Sequence, residues 1–145
     1  MNNAKLLKIF LETELSVCPI YYSILSIPVE YWNNLMGTVS TEKFLSLTKD
    51  HDDEISIIIS SDQVEKITEA SIPFEASHEW RLFSFKGEGL IEISGYLSKL
   101  CIMLAQNNIS IMAFSTYQKS QLLVQNQDFD KAQAILKIFL RQPMI

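Results

Sequence analysis

Two periods organise the hydrophobic positions of this chain. In the first half they come as short runs between polar connectors, the habit of strands. Leu6–Leu11 is apolar apart from Lys8 and predicts a strand; Leu15–Ile20 predicts a second, ended by Pro19. Ile27–Trp32 (IPVEYW) predicts a short helix with Pro28 in its first turn, where a missing N–H costs nothing. Phe44–Thr48 alternates imperfectly, whereas Ile55–Ile59, β-branched and apolar, is the clearest strand of this half. The polar stretch KDHDDE (49–54) joins those two, and the period fades over Val64–Glu79.

In the second half the periods are sharper. Trp80–Lys86 (WRLFSFK) predicts a strand with Trp80, Leu82 and Ser84 on one face and Arg81, Phe83 and Phe85 on the other, buried on part of both. Ile93, Tyr96, Leu97, Leu100 and Leu104 recur at helical spacing. That helix begins near Ser94, a good N-cap residue, and ends at Asn107-Asn108, because asparagine tolerates the left-handed cap. Ser110–Phe114 is a core strand, Gln118-Lys119 a turn, and Gln121–Val124 the returning strand. A last helix starts near Asp128, with Phe129, Ala132, Ile135, Leu136 and Phe139 on its apolar face. Its acids lie at the positive end and Lys137 and Arg141 at the negative end. The order β-α-β-β-α predicts an α+β, ferredoxin-like arrangement with both helices on one face of an antiparallel sheet.

Composition narrows the function. With 145 residues, 48% hydrophobic and 20% charged, the chain reads as one ordinary domain or two very small ones with a real core. A net charge of −5 without a basic cluster argues against nucleic acid and anionic membrane as partners. Cys18 and Cys101 both sit in apolar settings and read as buried thiols. The N-terminus lacks a signal-peptide pattern, and no apolar run approaches the roughly 18 residues of a membrane helix. A cytoplasmic location is the expectation.

Three of the four glycines (Gly87, Gly89, Gly95) precede or open the first helix of the second half. A helix start offers free N–H groups to an anion, which makes this segment the candidate site. Gly87-Glu88-Gly89 is no phosphate loop, since the Gly-Lys-Ser/Thr ending is missing. His51 among Asp50, Asp52 and Asp53 lacks the spacing and distal bidentate Glu of a calcium loop. No metal or cofactor is expected. No nucleophile sits in a motif with a paired base, so no enzyme is expected either.

The stretch GYLSKLCIMLAQNNISIMAFSTYQKSQLLV (95–124) resembles the signature of ACT domains: a Gly-led helix with a Leu-Ala end, a strand, Ser-Thr-Tyr, a turn and a Leu-Val strand. LSVCPI, SIPVEYWNN and FLSLTKDHDDEISIIIS are similar in order to the opening of small bacterial proteins with two ACT modules, which resemble half of the arginine-sensing CASTOR proteins. The resemblance implies two ACT modules, 1–70 and 71–145, the boundary falling near Glu69–Ser77. It further implies a regulatory protein that binds an amino acid or small carboxylate where modules pair, most simply in a homodimer. The ligand contacts it implies are Ile93, Ser94, Gly95 and Tyr96, with Thr116, Tyr117 and Ser120. At Ser120 the family commonly has an Asp that receives the ligand's amine. Glu88 or Glu92 could substitute, or Lys119 could favour an acidic ligand without an amine. A module that has kept the fold and lost the ligand is the other reading.

Overall fold

The computed structural model describes residues 12–40, 44–51, 53–87 and 95–140, together with Ala4 and Lys8. Among the described residues, from Glu14 onward, the order is β1 (Glu14–Pro28), α1 (Trp32–Thr38), β2 (Phe44–Lys49), β3 (Glu54–Ser60), α2 (Val64–Glu69), β4 (Glu75–Lys86), α3 (Tyr96–Gln106), β5 (Ile111–Ser115), β6 (Lys119–Gln125) and α4 (Phe129–Leu140). The class is α+β with antiparallel pairing, seen in β1–β3, β2–β3 and β5–β6.

The chain divides into two compact units, Ile20–Trp80 and, discontinuously, Met1–Pro19 with Arg81–Ile145. In the first the strand order is β2-β3-β1-β4; in the second it is β5-β6-β4-β1. Each is the ferredoxin-like order. Long β1 and long β4 each give one part to one unit and the remainder to the other. The boundary read from the sequence, 70/71, lies between α2 and β4, ten residues ahead of the change of unit at Trp80–Arg81.

The core of the Ile20–Trp80 unit is aliphatic. Leu25 and Ile27 of β1 face the same way as Ile55, Ile57 and Ile59 of β3, their register partners being Leu25↔Ile57 and Ile27↔Ile55. Leu35 of α1, Ile67 of α2 and Ile72 close over them. Each such side chain removed from water contributes roughly 1.5–3 kcal/mol. In the Arg81–Ile145 unit the core is more aromatic. Phe83, Phe85 and Tyr96 pack with Leu100, Leu104, Leu122, Val124, Ala132 and Leu136, and Leu15 and Val17 of β1 lie against them. Phe83 stacks on Phe129 at 5.2 Å, and the Arg81 guanidinium covers the same Phe129 ring at 4.0 Å.

Three of the four strand-to-helix junctions are wound identically. Pro28, Ser60 and Gln125 hold φ near −58°, −55° and −61° with ψ between 133° and 142°. Each is followed at once by a three-residue 3₁₀ turn (Val29–Tyr31, Ser61–Gln63, Asn126–Asp128). The first α-helical residue then donates its N–H to the first carbonyl of that turn: Trp32 to Val29, Val64 to Ser61, Phe129 to Asn126. At the junction from β4 to α3, residues 88–94 lie outside those described.

Helices α2 and α3 end in the same way. Ser71 and Asn108 adopt left-handed φ of 58°. Their N–H groups reach Thr68 and Ala105, and the next N–H groups, of Ile72 and Ile109, reach back to Ile67 and Leu104. This double bond pattern is the Schellman motif, completed by burial of both isoleucines. Lys131 Nζ adds a bond to the Asn107 carbonyl at 2.8 Å, a cation at the negative end of α3.

Several sequence expectations change. Lys8 is helical, as are Ala4 and Glu12, and Lys8 pairs with Glu12 one turn away. The strand expected over Leu6–Leu11 is therefore not formed at Lys8, and its other residues lie outside those described. Strand β1 does not stop at Pro19 but continues to Pro28; proline lacks only the N–H, which matters where a ladder bond needs it. Ile27 belongs to that strand, and the α-helix expected over 27–32 runs from Trp32 to Thr38. Helix α2 occupies a stretch without visible period because six residues place only Val64 and Ile67 on its inner face.

Candidate functional site

Strand β4 ends at Lys86, and Gly87 leaves it; residues 88–94 lie outside the described set, Ile93 and Ser94 among them. Gly95 is the residue capping α3, at φ 83° and ψ −4°, a left-handed conformation glycine adopts without strain. The helix has no side-chain N-cap bond. The Gly95 carbonyl already receives Lys99 N–H at 3.1 Å and Ser98 Oγ at 3.2 Å. Among the described residues, a side chain at Gly95 would meet nothing nearer than Ser98 Oγ at 4.0 Å.

Tyr96 points away from solvent. It is 1% exposed and joins the core formed by Phe85, Leu100 and Leu122. Burial pushes its phenol up to about 12, against a smaller lowering by a hydrogen bond from Thr13. Tyr96 thus offers a ligand its main chain, while its ring fixes where α3 begins. Burial similarly raises the Cys101 thiol, which disfavours the reactive thiolate.

The β5–β6 turn is closed by its own atoms. Thr116 N–H bonds the Lys119 carbonyl at 2.9 Å, and Lys119 N–H bonds Thr116 Oγ1 at 3.1 Å. Tyr117 stands 81% exposed at the tip. Ser120 pairs with Ser115 and is 3% exposed, on the same face of β6 as Leu122 and Val124 of the core. The next residue, Gln121, faces the opposite way and is also buried. Its Nε2 donates to Ser84 Oγ at 3.2 Å, two residues before the end of β4. The exit of β4 and the entry of β6 therefore share one end of the sheet.

Of the residues expected at the site, Gly95 and Tyr96 are together at the head of α3, and Thr116, Tyr117 and Ser120 form the turn and its exit. Ser84 and Gln121 were not anticipated. Ser84 carried a signal, as a polar residue inside an apolar strand run (FSF); Gln121, next to Ser120 at the polar start of its strand, carried none.

Elsewhere, buried Ser23 Oγ lies 2.9 Å from both His78 Nδ1 and Ser61 Oγ. His78, expected as a bystander, is thus a partner for a buried hydroxyl. Ser23 has no exposed surface, so the pair satisfies hydrogen bonds rather than presenting a nucleophile. Among the described residues no group of three or more His, Cys, Asp or Glu side chains could hold a metal, and no helix is long and apolar enough to cross a membrane.

Residues 75–137, from the start of β4 into α4, match the ACT domain family model. No curated protein matches the sequence. Among solved structures, a protein from Agobacterium tumefaciens is 23% identical with a TM-score of 0.66, covering 88% of this chain and 89% of that one. A Vibrio cholerae protein described as a possible transport protein is 14% identical with a TM-score of 0.71, covering 95% and 97%. The ligand-free regulatory subunit of aspartate kinase from Thermus thermophilus is 12% identical with a TM-score of 0.67, covering 87% and 97%. At these identities the likeness establishes the fold, an ACT-type ferredoxin-like α+β architecture.

Proposed function

We propose that this chain is a non-catalytic regulatory protein that binds an amino acid or small carboxylate at the head of α3. The observation that carries the reading is a helix start inside the segment matching the ACT model: α3 is entered through Gly95 in the left-handed region, at φ 83°. Main-chain N–H groups at such a start favour a carboxylate. The fold shared with an aspartate kinase regulatory subunit supports a sensing role. The ferredoxin-like order repeated in the Ile20–Trp80 unit supports a second ACT-like module, in the manner of the CASTOR-like tandem proteins. The effector would sit where modules of two chains pair in a cytoplasmic homodimer and shift that pairing.

Thermal shift with the proteinogenic amino acids and small carboxylates tests this. A ligand at 100 times its Kd stabilises the fold by about 2.7 kcal/mol. Absence of any shift at millimolar concentrations removes the reading. A second reading, an assembly module without a ligand, draws on the serine at position 120 and on the Tyr96 ring filling the space beneath the helix start. Native mass spectrometry separates them: a dimer carrying a co-purified small molecule supports the first, a bare dimer the second.

A further inference from the structure

Among the described residues, β2 and β5 are the strands with a single neighbour, β3 for the one and β6 for the other. An unpaired edge is a template for a further strand, and bulges, charges and prolines are what disarm it. Strand β2 carries two such devices, a break in register between Phe44 and Ser46 and Lys49 at its end. Strand β5 (IMAFS) carries none: it has no charged residue and no proline, and its register on β6 is regular from Ile111 to Ser115. The Thr116 N–H bond to the Lys119 carbonyl sets the phase of that ladder. Hydrogen-bonded pairs alternate along an antiparallel ladder, so Met112 and Phe114 turn their main-chain groups to β6, and Ile111, Ala113 and Ser115 turn theirs outward. Ala113 and Ser115 are exposed.

We infer that β5 is the contact through which two copies of this chain pair, antiparallel about a twofold axis at Ala113. The inference rests on the homodimer proposed above and names its seam. The outward groups fix the register: Ala113 faces the partner's Ala113, and Ile111 faces the partner's Ser115. Every outward N–H and C=O of β5 then has a counterpart. Between these pairs Met112 meets the partner's Phe114, at the positions where side chains of an antiparallel pair come closest. Thioether–ring contacts of this kind are favourable, and both side chains are half-buried in the single chain. A twofold contact sets one patch against itself. Strand β5 suits that operation because it holds no charge to repel its own copy and only a methyl group on the axis.

The test is the dimer dissociation constant of the full chain, read by sedimentation equilibrium. Wild type is expected to dimerise. Ala113→Lys and Ala113→Glu each set like charges against one another on the axis, and each is expected to weaken the dimer by roughly tenfold or more. An equimolar mixture of the two variants is expected to restore the wild-type constant to within a few fold, a rescue that a folding defect would not give. Thr48→Lys, at an exposed position of β2, is expected to change nothing. A wild-type constant retained in Ala113→Lys, or no rescue on mixing, overturns the inference and leaves the homodimer with another seam. A wild type that stays monomeric at every concentration overturns it together with the homodimer, while thermal shift still tests the ligand site at α3. A monomer carrying a co-purified peptide overturns it in favour of strand addition by another protein.

Discussion

Three helices of this protein are entered from a strand through a 3₁₀ turn, and α3 is entered through a left-handed glycine. At Pro28, Ser60 and Gln125 the chain leaves the sheet with polyproline-like angles and enters a 3₁₀ turn at once. The first α-helical N–H then bonds a carbonyl of that turn. At the first of these the Val29 N–H is also taken, by the Asp53 carbonyl at 3.1 Å. Helix α3 is instead entered through Gly95 in the left-handed region, at φ 83°, whereas Tyr31 and Gln63 stand before α1 and α2 at φ −91° and −94°. Glycine, without a Cβ, takes such an entry without strain. The difference teaches that one kind of helix start is open to many residue types and the other asks for a particular backbone.

The sharpest way to break this contrast is hydrogen exchange. The amides of Trp32, Val64 and Phe129 are bonded, whereas those of Leu97 and Ser98 belong to a helix start, where intrahelical partners do not exist. The expected outcome, read by NMR, is exchange roughly a hundredfold slower at the first three than at the last two. Equal rates would mean that the first amides of α3 are as protected as those of the other three helices.

How much of this could be read from the residues follows the same division. Ile55–Ile59 announced β3 because four isoleucines in five residues, bounded by polar ones, favour an extended chain. The end of α3 was legible because Asn108 is one of the few side chains that tolerates φ of 58°. Ser71, which does the same for α2, gave no such warning, since serine is ordinary in loops. Pro19 looked like a strand end, yet β1 runs through it, because the signal reports a missing donor and not whether the ladder needed one. At the site, Gly95 and the Ser-Thr-Tyr turn stood out, but Tyr96 was expected to touch ligand and its ring is in the core. Ser84 and Gln121 escaped notice because a polar residue within an apolar strand, or at its start, reads as solvent-facing unless both faces are known to be buried.

Tyr96 provides the next test, because the other three helices begin with half-buried Trp32, Val64 and Phe129 whereas α3 begins with a fully buried phenol. Folding raises its pKa from 10.0 to about 12. Below pH 10 the phenol is neutral in both states and its burial counts in full. As pH rises from about 10 to 12 the unfolded chain ionises and the folded one resists, so stability falls by roughly 2–3 kcal/mol across that window. Urea titrations of wild type and Tyr96→Phe at pH 8 and 11.5 isolate the effect, since the other lysines and tyrosines titrate in both. An identical pH slope in the two proteins would show that the ring is hydrated and the head of α3 unanchored.

The smallest effect bears most directly on conformation. Gly95 and Ser71 both hold positive φ, one at the start of α3 and the other past the end of α2. Gly95→Ala meets no atom closer than Ser98 Oγ at 4.0 Å, so any cost comes from the backbone and not from crowding. A left-handed alanine costs about 1–2 kcal/mol, offset in part by the stiffer unfolded chain. A net loss of about 1 kcal/mol is expected. Ser71→Gly runs the other way. It relieves the same strain where the Schellman bonds from Ser71 and Ile72 already hold the turn, and a gain of about 0.5 kcal/mol is expected. Opposite signs in chemical denaturation would establish that glycine at position 95 is there for its backbone. A neutral Gly95→Ala would mean that the helix start can relax to negative φ, and the contrast with the other helix starts would lose its physical basis.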